Sequence, residues 1–176
     1  MLERFYPWGY ARSVFAIDYG KLYERGFRGL VFDVDNTLVH HGDPSTPEVD
    51  DLFRRVQALG FKTVLLSDND AERLKGFTAN IDTPFVADAG KPDPRGYEEA
   101  LRLLGVPKHE AVVIGDQVFT DIRGANAAGL ASILVHFIQV PGETRIGKKR
   151  YVEKALLAVW RRSKRWSRRL EGVEIR

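Results

Sequence analysis

The 176-residue sequence contains no cysteine and a single methionine. Without a thiol there is no disulfide framework, no thiolate zinc site, no iron–sulfur cluster and no cysteine nucleophile, so cysteine-dependent phosphatases are excluded with the rest. A cysteine-free chain also fits a reducing compartment. The four histidines, His40, His41, His109 and His136, complete no zinc spacing. No basic-then-apolar leader is visible in MLERFYPWGY, and the best apolar run, Leu130 to Ile138, falls far short of the roughly 20 residues that a membrane-spanning helix needs. A cytoplasmic protein is therefore expected. Internal repeats and low-complexity runs are missing as well.

What is present is ordinary for a folded domain: 44% hydrophobic and 29% charged residues, in a length that suits one core with an appended segment. The net charge of +3 hides an asymmetry. Residues 145–176 carry 12 Lys/Arg against 3 Asp/Glu, a local balance of +9, which leaves the first 144 residues acidic. A basic segment on an acidic body points to an anionic partner such as membrane phosphates or nucleic acid, or else to a solvated helix face.

Short runs rich in Val, Ile and Leu recur at residues 29–34, 63–67, 111–115 and 131–135, each too short for a helix and apolar enough for a strand buried on both faces. A fifth, shorter strand is expected at 83–87. Between them, residues 47–59, 70–79, 94–104 and 119–128 read as helices. Thr46 before Pro47 forms a start signal, and Gly60 and Gly105 stand at stops. Strand–helix alternation of this kind predicts an α/β fold, a three-layer α/β/α Rossmann-like parallel sheet. Residues 1–28 are aromatic-rich, with a short helix expected at 18–25, and are read as a segment packed on the core. Residues 29–147 form the catalytic domain in this reading, and 148–176 a basic helical tail.

The chemistry gathers at the carboxyl ends of the predicted strands, where open parallel sheets bind ligands. Asp33 and Asp35 end the first (VFDVDNTLV), Ser67 ends the second (LLSDND), Lys91 lies in the loop AGKPDP, and Asp116 and Asp121 follow the next (GDQVFTD). Any one of these alone would read as a cap or a solvated residue. Together they set several carboxylates around one point, an arrangement that repels itself unless a cation sits among them, and hard oxygen donors select Mg²⁺. Mg²⁺ with a lysine and a serine hydroxyl can hold a phosphoryl group while one carboxylate attacks phosphorus in line. The expectation is phosphoryl transfer through an aspartyl-phosphate.

The ordered set D-x-D-N-T at 33–37, Ser67, Lys91 and G-D-x-x-x-x-D at 115–121 resembles the haloacid dehalogenase (HAD) superfamily of phosphatases. That resemblance implies Asp33 as nucleophile, Asp35 as general acid and base, and Ser67 and Lys91 as ligands of the transferring group. It further implies Mg²⁺ held by Asp33, Asp116 and the backbone carbonyl of Asp35, with Asp121 in support. Thr37 is expected to fix the motif loop, and Asn69 to orient Asp116 or bind substrate. The intervals from Asp33 to Ser67 and from Ser67 to Lys91 are filled by one helix and one strand each, so no cap domain fits. By family analogy, an open mouth suits a macromolecular or membrane-borne phosphomonoester. More narrowly, the chain resembles subfamily IIIA, in a YqeG-type branch related to mitochondrial phosphatidylglycerophosphate phosphatases, over roughly residues 6–146. That resemblance implies a lipid phosphate. A nucleotide, sugar, phosphoprotein or polynucleotide end remains an alternative substrate, and a phosphoryl-accepting signalling module or a non-catalytic scaffold is the alternative of another class.

Three further features complete the reading. His40 and His41 follow the nucleophile loop, where they could meet substrate or a transition metal, or simply form a polar loop. Residues 124–129, GANAAG, read as a small-residue helix face packed close on the sheet. The tail from Lys148 to Leu170 places Val152, Ala155, Leu156, Val159, Trp166 and Leu170 on one stripe, among Arg161, Arg162, Lys164, Arg165, Arg168 and Arg169. Such a helix can dock on its own domain, lie on an anionic bilayer, or serve as a nucleic-acid arm.

Overall fold

The structure, a computed structural model, describes residues 2–139, 148–163 and 169–174. Six strands, β1 (Gly9–Ala11), β2 (Gly29–Phe32), β3 (Lys62–Leu66), β4 (Phe85–Val86), β5 (Ala111–Gly115) and β6 (Ala131–Val135), form one sheet in the order β1-β6-β5-β2-β3-β4. Every pairing is parallel. The helices are α1 (Tyr19–Glu24), α2 (Pro47–Ala58), α3 (Ala71–Phe77), α4 (Pro94–Leu104), α5 (Arg123–Ala128) and α6 (Lys148–Arg162).

Alternation along the strands divides the core into two layers. Leu30 and Phe32 join Leu52, Phe53, Leu65 and Leu74 on one side of the sheet, while Val31 joins Val64, Tyr97, Leu104 and Val113 on the other. All eleven are 2% exposed or less, so both faces are covered and the three-layer α/β/α arrangement follows. The starts of the helices are chemically marked. Thr46 Oγ1 accepts from the Val49 N–H with Pro47 at the first position, Asp70 accepts from Arg73, and Asp93 from Arg95. Gly105 closes α4 in the left-handed region, at φ +58°. No additional domain is inserted between β2 and β3 or between β3 and β4, and the sheet's carboxyl edge is left uncapped.

Three features differ from the sequence reading. First, residues 9–11 form an edge strand, with Gly9 opposite Ile133, that the three-residue GYA gives no apolar run to announce. Second, the helix expected over 119–128 is preceded by a wide turn at Val118–Ile122, in which Gln117 O accepts from both Asp121 N and Ile122 N (3.0 and 3.2 Å). Third, α6 ends at Arg162, and the expected stripe divides. The face turned to the domain is Glu153, Leu156, Leu157 and Trp160, with Trp160 Nε1 donating to Pro7 O at 2.8 Å, whereas Val152 and Val159 face outward. Leu170 and Val173 belong to a separate turn buried against the N-terminal segment, where Leu170 N bonds Trp8 O and Asp18 N bonds Val173 O. Trp166 and the bases at 164, 165 and 168 lie outside the described residues. Among the described residues no helix is long and apolar enough to cross a membrane.

The residues 124–129 pack on α4 as much as on the sheet, because a Cβ on Gly124 would collide with the Tyr97 ring. Glycine is what lets the two helices approach.

Candidate active site

Register brings the chemistry together. Phe32 pairs with Leu65 on one side and Ile114 on the other, so the next residues of β2, β3 and β5 reach the same edge. Asp33, Ser67 and Asp116 are therefore neighbours, and all three are buried. Lys91, from the loop after β4, and Asp121, from the wide turn, close the group.

The Lys91 ammonium is the hub: Nζ lies 2.5 Å from Asp33 Oδ1 and 2.7 Å from Asp121 Oδ1, on a side chain 5% exposed. Its backbone N–H is held by Asp68 Oδ1 at 2.9 Å. Burial opposes its charge, but the two carboxylates outweigh this and hold its pKa well above the usual lysine value. Thr37 Oγ1 donates to Asp33 Oδ2 (2.7 Å) and reaches Asp116 Oδ1 (3.3 Å), joining the first and last acidic motifs. Oxygens of Asp33, Asp116 and Asp121 lie within 4.8 Å of one another, and this is the one such acidic or histidine cluster among the described residues. Three buried carboxylates around one ammonium carry an excess negative charge, and a divalent cation fits that deficit in both charge and donor type. Burial, reinforced by Asp121 and opposed by Lys91, pushes Asp33 up to about 6.

Gly115 is required by this packing. A Cβ there would stand 2.5 Å from Asp121 Cγ, so any larger residue would displace the carboxylate. The other oxygen of that carboxylate, Oδ2, accepts from Gln117 N at 3.0 Å.

The carboxylate of Asp35 lies apart from the triad, on the side of Ser67. It accepts from Asn69 Nδ2 (2.7 Å), Gly42 N (3.1 Å) and Arg73 Nη2 (3.2 Å), with His41 Nδ1 3.4 Å away. Burial alone would raise its pKa, but the hydrogen bonds from Asn69, Gly42 and Arg73, with the His41 charge, outweigh it and hold Asp35 below the usual carboxylate value. Both amide hydrogens of Asn69 are committed, one to Asp35 and one to Ser67 Oγ (3.0 Å). Asn69 thus orients Asp35 and Ser67, not Asp116. Ser67 Oγ also accepts from Asn69 N (3.2 Å), so the hydroxyl is an acceptor twice over and keeps its own proton to donate.

Arg73 and Glu153 were not legible as site residues. Arg73 sits one turn into α3, and its guanidinium bridges Asp35 and the Asp43 carbonyl (2.9 Å); a base in the first turn after a ligand-bearing strand end was the available signal. His41 reaches Asp35 and accepts no metal cluster with His40 among the described residues.

A parallel sheet that gathers an acidic triad, a buried lysine and a serine at its carboxyl edge defines a hydrolase of the haloacid dehalogenase type. The family model described as haloacid dehalogenase-like hydrolase matches residues 40–129, and the chain belongs to that family and is a phosphatase. In particular, it is 36% identical over 137 residues to the "Probable phosphatase YqeG" of Bacillus subtilis (strain 168), a match covering 77% of this chain and 80% of that protein. It is 28% identical over 158 residues to "Phosphatidylglycerophosphate phosphatase 1, chloroplastic" of Chlamydomonas reinhardtii, covering 82% of this chain but 58% of that longer protein. Among solved structures, an uncharacterized protein from Listeria monocytogenes serotype 4b shares the fold, with a TM-score of 0.53 at 21% identity over 78% of this chain and 100% of that one.

Proposed function

We propose that the protein is a Mg²⁺-dependent phosphomonoester hydrolase that works through an aspartyl-phosphate on Asp33 and acts on a lipid phosphate of the phosphatidylglycerophosphate type. The observation that carries the chemistry is the separation of two carboxylates two residues apart. Asp33 is in the triad with Lys91, and Asp35 is outside it with Asn69 and Arg73. A nucleophile and a proton carrier need those different surroundings.

An Asp33 oxygen attacks phosphorus while Ser67 and Lys91 hold the phosphoryl oxygens. The P–O bond to the leaving alcohol breaks, and that oxygen takes the proton of Asp35. Asp35, now ionised, takes a proton from water, whose oxygen attacks the aspartyl-phosphate. The P–O bond to Asp33 breaks, and orthophosphate leaves. Asp33, Asp116, Asp121 and the Asp35 main chain would hold Mg²⁺, which supplies neutralisation of the phosphoryl charge when bound.

The lipid assignment draws on the named activity of the algal relative and on the open site edge. It draws also on the outward face of α6, where Tyr151, Val152 and Val159 are 62, 53 and 47% exposed beside Lys154, Arg161 and Arg162. An apolar stripe flanked by bases suits an anionic lipid surface, at about 1 kcal/mol for each base near it. The test is phosphate release from p-nitrophenyl phosphate and from phosphatidylglycerophosphate in mixed micelles, with Mg²⁺ and with EDTA, by the protein and by Asp33→Asn. Mg²⁺-dependent preference for the lipid, abolished in the variant, is expected. Turnover of the generic ester alone would discard the lipid, and release that persists in EDTA or in Asp33→Asn would discard the mechanism.

A further inference from the structure

The residues of α6 lie beyond the 40–129 span of the family match, yet one of them reaches the acidic loop. Glu153 is an acid on a helix dominated by bases, and it is only 6% exposed. Its Oε1 accepts from the Val118 backbone N–H at 3.0 Å. Val118 stands two residues after Asp116 and opens the wide turn that ends in Asp121 and Ile122.

The amides at the start of such a turn have no main-chain partner within it, and a buried one left unpaired is costly. Two carboxylates meet this need from opposite sides. Asp121 Oδ2 takes the Gln117 N–H from inside the turn, and Glu153 takes the Val118 N–H from outside. The loop that carries two of the three triad carboxylates is therefore pinned at its entrance by the C-terminal helix. That helix is itself anchored on the domain by Trp160 on Pro7 and by Leu156 and Leu157 against Val118, Ile122 and Leu134. A cleft of about 60 Å³ lined by Tyr10, Asp116, His136 and Glu153 runs between α6 and the site, so the helix also walls one side of Asp116.

We infer that Glu153 is a positioning residue, which through the Val118 N–H fixes the Asp116–Asp121 loop in the geometry that receives the cation and so makes α6 part of the catalytic apparatus. This rests on the triad being the cation site. Nothing in Glu153 touches the reacting atoms; its effect passes through the backbone of the loop.

The test compares the full chain with Glu153→Ala and with Glu153→Gln, which keeps an acceptor oxygen at the same reach. Two readouts are used: hydrogen exchange of individual amides in EDTA, and Mg²⁺ binding by calorimetry, both well below each protein's melting temperature. For Glu153→Ala, exchange at Val118, and also at Asp121 and Ile122, which bond Gln117 O and not Glu153, is expected to speed up about tenfold or more. Mg²⁺ affinity is expected to fall about 10- to 100-fold, the usual range for losing a group that orients metal ligands. Glu153→Gln should restore both to within a few-fold. A lower melting temperature in Glu153→Ala with unchanged exchange at Asp121 and Ile122 would overturn the inference, as would a glutamine variant indistinguishable from alanine. If the unmodified protein bound no Mg²⁺, the cation reading would fall, while the exchange contrast would still decide whether Glu153 holds the loop.

Discussion

Lys91→Met keeps most of the aliphatic stem and removes the one ammonium that two buried carboxylates share. Nζ lies 2.5 Å from Asp33 and 2.7 Å from Asp121, on a side chain 5% exposed, so water cannot take its place without opening the site. Removing one partner of a buried ion pair costs about 3–5 kcal/mol, because the remaining charge is left in a poorly solvating interior. Here two charges are left, but Asp33 can escape by taking up a proton, since its pKa already stands at about 6 with the lysine present. The deficit at pH 7.5 in EDTA is therefore expected at about 3–5 kcal/mol, or roughly 6–20 °C in melting temperature for a domain of this size. The sign with pH follows from the same pKa. Loss of Lys91 raises Asp33 further, and the penalty exists only while the carboxylates are ionised. The gap between variant and parent must shrink as pH falls from 7.5 to 5.5. Urea denaturation at both pH values measures it, and added Mg²⁺ should recover part of the loss at pH 7.5. A deficit under about 1 kcal/mol at pH 7.5, or one that does not shrink at pH 5.5, would refute the reasoning.

Asp33→Asn should abolish turnover of p-nitrophenyl phosphate while leaving the protein folded; residual activity within tenfold of the parent would rule out Asp33 as nucleophile. Mg²⁺ competes with a proton at Asp33, so its affinity measured by calorimetry should be level above about pH 6 and fall about tenfold for each unit below it. A flat profile between pH 5 and 7 would place the cation elsewhere. Gly115→Ala puts a methyl 2.5 Å from Asp121 Cγ, and overpacking of that kind should cost about 1–3 kcal/mol in urea unfolding together with weakened Mg²⁺ binding. Unchanged stability would mean that the Asp121 loop adjusts freely.

The central sheet was legible because its strands are buried on both faces. Runs such as LVF before Asp33 and VVIG before Asp116 have few readings other than buried parallel strands, and the helices between them carry explicit starts and stops at Thr46, Gly60 and Gly105. The elements missed are those whose geometry depends on tertiary partners. Strand β1 exists because β6 offers an open edge, and the widened turn at 118–122 exists because the Asp121 carboxylate folds back on Gln117 N beside a bare Gly115. Neither cause leaves a periodic mark. The same distinction holds for the site. Residues at strand ends could be aligned by counting, so Asp33, Ser67, Asp116 and Asp121 were placed on one edge. Arg73 and Glu153 reach the site through side chains from helices, Glu153 from 35 positions beyond its partner Val118, and only the packing of α3 and α6 brings them there. Periodicity also misjudged the tail, because its inner face joins Leu156 and Leu157 to the hydrogen-bonded Trp160 and Glu153 and leaves Val152 and Val159 outside.

Asp33 and Asp35 are two residues apart on one chain and are driven in opposite directions, Asp33 upward chiefly by burial and Asp35 downward by hydrogen bonds that outweigh its burial. Under the proposed reaction the first half needs the reverse: an ionised nucleophile and a protonated acid. Each correction comes from a charge that arrives. Positive charge in the triad favours ionised Asp33, and a phosphoryl group set against Ser67 and Lys91 adds negative charge beside Asp35, which raises its affinity for a proton. At neutral pH Asp33, at about 6, is already largely ionised, so the arrival that the first half of the proposed reaction waits on is that of the phosphomonoester beside Asp35. Once the alcohol has taken the proton and left, Asp35 is ionised again. The donors from Asn69, Gly42 and Arg73 that opposed its protonation then hold it in the state that accepts a proton from water. Under the proposed reaction, the hydrogen bonds around Asp35 therefore oppose the first half-reaction and prepare the second.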